Sequence, residues 1–144
     1  NACFQWFEDL EKALQKYKGQ LKNNGLILFS IFGPLTFWEL SVSLESLLQN
    51  MSIAANNFIE KNKINKILSN NFKEFKIKEL RYQESFDSLL GLLNKIKYTG
   101  IRGNGASSKI SLGSRYLRKL EEVYLNKFHS IKATYQIFFC QMKP

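Results

Sequence analysis

Few side chains in this sequence of 144 residues belong to the types that catalyse reactions. His129 is the only histidine, which excludes histidine-rich metal sites and any catalytic triad that does not use this residue. Cys3 and Cys140 lie far apart and lack the spacing of metal ligands, so we expect reduced, buried thiols rather than a disulfide or a metal site. We therefore assign no catalytic residue and no metal ligand.

The segment best suited to contact a ligand is the corner from Ser30 to Pro34. It ends the apolar run 26–32, which shows no alternation and predicts a strand covered on both faces, as in a largely parallel sheet. Ligands of open α/β sheets bind beyond the carboxyl ends of such strands, and Gly33 would let the backbone pass close to one. An ordinary tight turn between a strand and a helix explains the same residues, and the corner alone does not decide between the two.

Hydrophobic periodicity predicts the elements that must position this corner. Asp9 is a candidate N-cap, and Pro34 fits the first turn of the helix that follows the strand. The predicted helices are 9–18, 34–48, about 64–71, one that starts at Ser85 or Asp87 and reaches Ile96, and one from about Ser111 or Ser114 to Lys127. The predicted strands are 26–32, 72–84 and 130–143. In the last strand, the apolar residues from Ile131 to Phe139 alternate with Lys132, Thr134 and Gln136. This order predicts one α/β domain over 1–144.

The net charge of +9 favours an acidic partner, which could be nucleic acid, an anionic membrane surface or an acidic protein. Lysines are spread over 12–143 without a block of five, so the charge alone identifies no partner. No apolar stretch approaches the roughly 20 residues that span a bilayer. We expect a soluble, cytoplasmic protein that does not bind membranes.

Two non-enzymatic functions compete with a ligand-binding corner. A small basic nucleic-acid-binding module needs exposed aromatic residues, but most aromatic residues here fall on predicted core positions, so we expect no nucleic-acid partner. A helical interaction domain without a ligand is disfavoured by the apolar run 26–32 and by the alternating final strand.

Two motifs in the first 40 residues, taken together, resemble one enzyme family. The sequence is similar to the S-adenosylmethionine-dependent methyltransferases of the BioC type, which methylate malonyl-acyl carrier protein in biotin synthesis. The matching residues are Asn1, Ala2, Gln5 and Trp6 in an Asn-Ala-x-x-Gln-Trp stretch, and Phe29, Ser30, Phe32, Gly33 and Pro34 in a Phe-Ser-Thr-Phe-Gly-Pro stretch. The likeness continues through ESFDSLLGLLNKIKYTGIRG, YLRKLEEVYLNKF and IKATYQIFFCQMKP, and it covers essentially the whole chain.

The resemblance implies the C-terminal portion of a class I methyltransferase, which has a Rossmann-like fold. About three strands with flanking helices are expected, with a helical lid at 85–128 inserted before the last strand. The family builds its S-adenosylmethionine site mainly from a glycine-rich loop and an acidic residue that have no counterpart in this sequence. We therefore expect the chain by itself to bind the cofactor very weakly and to be inactive.

The resemblance also assigns residues to a site. Asn1, Gln5 and Trp6 would border the cofactor, and Phe32 and Gly33 would lie beside the path of the methyl group. Arg102, Arg115 or Arg118 would supply a cation that holds the malonyl carboxylate or attracts an acidic carrier protein. Each of these residues has a plain alternative, which is core packing for the aromatic residues and solubility for the arginines.

Two further expectations follow from the resemblance. The family often has an arginine just before the phenylalanine of the stretch AANNFI, where this chain has Asn57, which weakens a carboxylate-binding role there. The strand 26–32 would lack its neighbour on one side, and exposed strand edges recruit other chains. We expect either a homodimer through this strand or association with a separate N-terminal piece.

Overall fold

A computed structural model describes residues 4, 7–22, 24–48, 53–98 and 113–143. The elements in chain order are α1 (Leu10–Gly19), β1 (Ile27–Phe32), α2 (Trp38–Leu47), α3 (Lys61–Asn71), β2 (Glu74–Phe86), α4 (Leu89–Tyr98), α5 (Ser114–Phe128) and β3 (Ile131–Lys143). This order of helices and strands confirms the prediction, and the fold is α/β. A short 3₁₀ helix at Ala54–Asn57 lies in the segment between α2 and α3 and was not predicted.

The sheet has three described strands in the order β1-β3-β2. β1 runs antiparallel to β3, with a register from Ile27 opposite Met142 to Phe32 opposite Ile137. Two hydrogen bonds between side chains show that β2 is also antiparallel to β3. Glu79 bonds Gln136 and Gln83 bonds Thr134, so the residue numbers rise along one strand and fall along the other. β1 and β2 therefore point the same way, with β3 antiparallel between them.

The expectation of a largely parallel sheet is wrong for these strands, and so is that of a β1 covered on both faces. Phe29 and Ile31 are buried, but Leu28 is 66% exposed. An unbroken apolar run reports that a strand is hydrophobic, but it does not report the direction of the neighbouring strand.

The chain divides into two compact units. Unit 1 comprises 1–34, 58–81 and 136–144. Its core is a cluster of apolar side chains from α1, α3 and the sheet, namely Leu10, Leu14, Phe29, Ile31, Ile64, Ile67, Leu68, Phe72, Phe138, Cys140 and Met142. Asp9 caps α1 as predicted, because its carboxylate accepts the Lys12 N–H at 3.0 Å.

Unit 2 comprises 35–57 and 82–135. In it, α2 packs against α5, and α4 also contacts α5. Its interior includes several apolar residues, such as Leu40 and Leu120, but it also buries Glu39 and Thr134, at 0% and 5% exposure. Thr134 belongs to the predicted polar face of the last strand, so the simple alternation predicted for β3 is wrong there.

The helix after the corner starts later than predicted. Residues 34–37 form a turn, and α2 begins at Trp38 instead of Pro34. Phe37 is the N-cap of α2 and adopts a left-handed backbone with φ of 59°, which is a strained conformation for a bulky residue. Its N–H donates to the carbonyl of Thr134 at 2.7 Å.

The proposed lid at 85–128 contains α4 and α5, while 99–112 lie outside the described residues. Its boundaries stay a prediction. Among the helices that the structure describes, none is long and apolar enough to cross a membrane.

Candidate functional site

The corner after β1 is built around Gly33. Its N–H donates to the carbonyl of Gln136 at 2.8 Å, which joins the end of β1 to β3. A Cβ at this position would lie 2.7 Å from a ring carbon of Phe138 and closer still to the side-chain oxygen of Gln136. The glycine is therefore required by the close approach of these two side chains, and a contact between Gly33 and a substrate stays a prediction.

Phe32 provides the aromatic wall of the same corner. Its ring stacks on Phe58, with centroids 6.4 Å apart and planes inclined by 23°. Phe58 is 8% exposed, whereas Phe32 is half-buried. The position of Phe32 beside the path of the methyl group stays a prediction.

The side chain of Gln136 belongs to a polar cluster that is centred on Glu79. Gln136 Nε2 donates to Glu79 at 2.8 Å, Arg81 Nε donates to it at 3.0 Å, and Lys61 Nζ lies 3.4 Å away. These donors hold the pKa of Glu79 below its usual value of 4.5, with the Gln136 hydrogen bond as the largest cause. We call these four residues the Glu79 cluster.

Sequence reasoning did not find the Glu79 cluster. Its members come from α3, β2 and β3, and no local spacing connects them. The signal available was the pair Glu79 and Arg81 at i, i+2 on a predicted strand, which places both side chains on one face.

Unit 2 holds a second polar cluster, centred on Glu39. Its carboxylate accepts the Thr134 N–H at 3.0 Å and also accepts the Thr134 hydroxyl. The Thr134 oxygen in turn accepts Trp38 Nε1 at 3.2 Å and Gln83 Nε2 at 3.1 Å. We call Glu39, Thr134, Trp38 and Gln83 the Glu39 cluster.

The position of this buried carboxylate in its helix favours its charge. Glu39 lies in the first turn of α2, where the helix dipole favours negative charge. Tyr124 donates its hydroxyl to the carbonyl of Lys132, and burial, followed by the charge of Glu39, raises the pKa of Tyr124. Every polar side-chain atom buried in the described residues has a partner, so no buried atom of the Glu39 cluster lacks a hydrogen bond.

The described residues also form a basic groove in unit 1, with a volume of about 840 Å³. It is lined by four lysines and one glutamate, which are Lys18, Lys22, Lys73, Lys143 and Glu74, together with polar residues that include Asn24 and Asn71. Lys18 donates to the carbonyl of Asn71, the last residue of α3, and Lys143 pairs with Glu74 at 3.2 Å. Lysines placed at helix C-termini stabilise the exposed carbonyls, which accounts for part of this charge.

Two potentially reactive residues have structural roles. Cys140 is a buried free thiol, and burial raises its pKa to about 12, so it stays neutral. His129 is exposed and caps the C-terminus of α5 with a left-handed backbone. Among the residues that the structure describes, no group of three or more His, Cys, Asp or Glu side chains could hold a metal.

Comparison with known proteins gives consistent relatives. The malonyl-[acyl-carrier protein] O-methyltransferase of Halalkalibacterium halodurans is 31% identical over 150 residues, covering 98% of this chain and 55% of the relative. Malonyl-[acyl-carrier protein] O-methyltransferase 2 of Ilyobacter polytropus is 31% identical over 140 residues, covering 97% of this chain and 49% of the relative. The Bacillus anthracis protein of the same family name is 29% identical over 147 residues, covering 96% and 54%.

The chain belongs to the malonyl-[acyl-carrier protein] O-methyltransferase family. It spans about half the length of the curated relatives that it matches. No protein-family model matches the chain.

Several residues assigned through the family resemblance lie outside the described residues. These are Asn1, Gln5 and Trp6, assigned to the cofactor, and Arg102, assigned to the substrate. None of the described residues is assigned to contact S-adenosylmethionine. The role of these four residues stays a prediction.

The remaining family assignments lie in unit 2. Arg115 and Arg118 are exposed on α5, while Leu120 of the same helix is fully buried. Their exposure is compatible with both docking and solubility. Asn57, where the family often has arginine, is exposed at the end of the 3₁₀ helix.

Proposed function

We propose that the protein containing this chain is a methyltransferase that uses S-adenosylmethionine to methylate the free carboxylate of malonyl-acyl carrier protein in biotin synthesis. The observation that carries this proposal is the similarity to relatives of that name over nearly the whole chain. The proposed location is the cytoplasm.

The chemistry requires little from acid or base groups. A carboxylate is already an ionised nucleophile. The cofactor supplies a methyl group bound to a sulfonium sulfur, and the resulting thioether leaves readily. The protein therefore contributes by orienting the acceptor and by excluding water. This explains why a site with no catalytic histidine or cysteine is sufficient.

Each assigned residue has a proposed role in that arrangement. Phe32, packed on Phe58, forms an apolar wall beside the methyl path, and Gly33 keeps the corner close to β3. Arg102, Arg115 and Arg118 attract the acidic carrier protein. Asn1, Gln5 and Trp6 border the cofactor.

The test is a methyl-transfer assay with labelled S-adenosylmethionine and malonyl-acyl carrier protein. The longer protein that contains this chain is expected to form a methyl ester, whereas the 144-residue chain alone is expected to form none. Acetyl-acyl carrier protein, which has no free carboxylate, is the matched control substrate. Absence of ester formation by the longer protein would reject the proposed function.

We further propose that the 144-residue chain forms a homodimer through strand 26–32. Two observations support this: β1 is the end strand in the described sheet order, and Leu28 in this strand is 66% exposed. Light scattering of the isolated chain measures its oligomeric state, and introduction of a charge with Leu28→Lys is expected to give the monomer. A wild-type chain that is monomeric at high concentration contradicts this arrangement.

A further inference from the structure

The side chain of Arg81 makes one described ion pair, through Nε, and is otherwise exposed to solvent. Its Nε donates to a carboxylate oxygen of Glu79 at 3.0 Å, while 61% of its side chain is exposed. No residue in the described part of the chain bonds its two terminal nitrogens. Since an arginine has five N–H donors in a planar fork, the terminal pair remains able to bind a carboxylate with two parallel hydrogen bonds.

The charges of the Glu79 cluster leave an excess of one cation. Lys61 and Arg81 both contact Glu79, and Gln136 supplies a neutral donor. One carboxylate therefore faces two cations, so a second carboxylate would complete the charge balance. The Lys61 side chain is 49% exposed, which leaves its ammonium accessible to a ligand.

The cluster adjoins the corner of the candidate site, and all of it lies in unit 1. Gln136 accepts the N–H of Gly33 through its backbone and donates to Glu79 through its side chain. Gln136 thus connects Gly33, through hydrogen bonds, to the Glu79 carboxylate that orients Arg81. Lys61 follows Phe58, the stacking partner of Phe32, by three positions along the chain.

We propose that Arg81, oriented by Glu79 and assisted by Lys61, binds the carboxylate of the acceptor substrate. This inference rests on the proposed function, and it places the substrate-binding cation on β2 rather than at Arg102, Arg115 or Arg118. Arg81 is a substrate-binding residue, whereas Glu79 and Gln136 are positioning residues, because they act through the guanidinium.

Nuclear magnetic resonance of the 144-residue chain tests the contact directly, by following the Arg81 Nε–H signal. Malonyl-pantetheine is expected to shift this signal in a saturable manner, and acetyl-pantetheine, which lacks the carboxylate, is expected to leave it unchanged. S-adenosylhomocysteine is a third ligand, because it carries a carboxylate that does not belong to the acceptor substrate. A shift caused by S-adenosylhomocysteine alone, an equal shift with the acetyl compound or no shift overturns the proposal.

Kinetics of the longer protein provide the second test. Loss of a charge-assisted hydrogen bond in Arg81→Ala is expected to raise KM for malonyl-acyl carrier protein roughly tenfold to a hundredfold. Lys78→Ala removes an exposed cation from the same strand and is the matched control, with an expected change of less than about twofold. Equal effects of the two variants, or an unchanged KM in Arg81→Ala, contradict the inference while leaving the proposed function intact.

Variants of Glu79 separate positioning from folding. Glu79→Gln keeps an oxygen that accepts the Arg81 N–H, so its KM should rise less than that of Glu79→Ala. Both variants should keep the thermal stability of the wild type within a small margin, because the cluster is partly exposed. Identical KM values for Glu79→Ala and the wild type reject the positioning role. If the wild-type protein transfers no methyl group, the proposed function fails, and the resonance experiment alone decides the assignment of Arg81.

Discussion

Two glutamates organise the polar clusters of this molecule, and they do so in opposite ways. Glu39 is completely buried, and the described hydrogen-bond partners of its carboxylate are the N–H and hydroxyl of a single residue, Thr134. The Glu79 side chain is 22% exposed and faces two cations in addition to Gln136. A buried carboxylate whose oxygens are hydrogen-bonded within the protein stabilises the fold. A partly exposed carboxylate that faces two cations can instead orient one of them, here Arg81, toward a ligand.

The largest expected effect comes from removal of the buried carboxylate. Glu39→Leu leaves the N–H and the hydroxyl of Thr134 without their acceptor, and each unsatisfied buried group costs about 1–3 kcal/mol. We expect the free energy of unfolding to fall by about 3 kcal/mol. Denaturant unfolding measures it.

Glu39→Gln is the control for this prediction. The amide keeps one oxygen that can accept the Thr134 N–H, so the loss should be clearly smaller than with leucine. If the two variants are equally stable, the hydrogen bonds to Thr134 are not the reason for the burial of Glu39.

A smaller effect is expected at the edge of the same cluster. Tyr124→Phe removes the hydroxyl that donates to the Lys132 carbonyl, and we expect a loss of about 1 kcal/mol. Burial raises the pKa of Tyr124, so the folded state keeps it protonated, and its stabilisation is lost as the pH rises above the value for an exposed tyrosine. The difference in stability between the wild type and the variant should therefore be smaller at alkaline pH than at neutral pH, as measured by unfolding curves. A difference that grows with pH contradicts this assignment.

The smallest effect is expected at Glu79 and appears at acidic pH. Its pKa is lowered in the folded state, so its contribution is present above its usual value of 4.5 and is lost as the pH falls through the folded value. Because the cluster is partly exposed, the difference between wild type and Glu79→Gln should stay below about 1 kcal/mol at neutral pH. Thermal unfolding between neutral and acidic pH measures it. A difference that persists after protonation would place Glu79 in the same class as Glu39.

The sequence was sufficient to predict the elements whose signals are local. The cap at Asp9 and the helix at about 64–71 are confirmed, because capping and helical periodicity depend on residues a few positions apart. The corner at Gly33 was found from a motif, but the physical reason for the glycine was not. That reason is the side chain of Gln136, more than 100 residues later in the 144-residue sequence.

The two polar clusters could not be predicted in this way. Thr134 and Gln136 occupy polar positions in an alternating strand, and alternation predicts that such residues face solvent. Both are buried, at 5% exposure, because each meets a glutamate from another element. Which partner meets a strand residue depends on the packing of distant segments, and a single sequence does not encode that packing in any local spacing.

The turn before β1 contains a site where an asparagine can deamidate. Asn24 has a left-handed backbone with φ of 66° and precedes Gly25, whose nitrogen has no side chain beside it to hinder attack on the asparagine amide. That nitrogen donates its hydrogen to the carbonyl of Lys22 at 2.8 Å, so the folded turn keeps it occupied. Deamidation should therefore follow the rate at which this turn opens. Its product places a new carboxylate among the lysines of the basic groove, so stored protein should gradually lose positive charge at that surface.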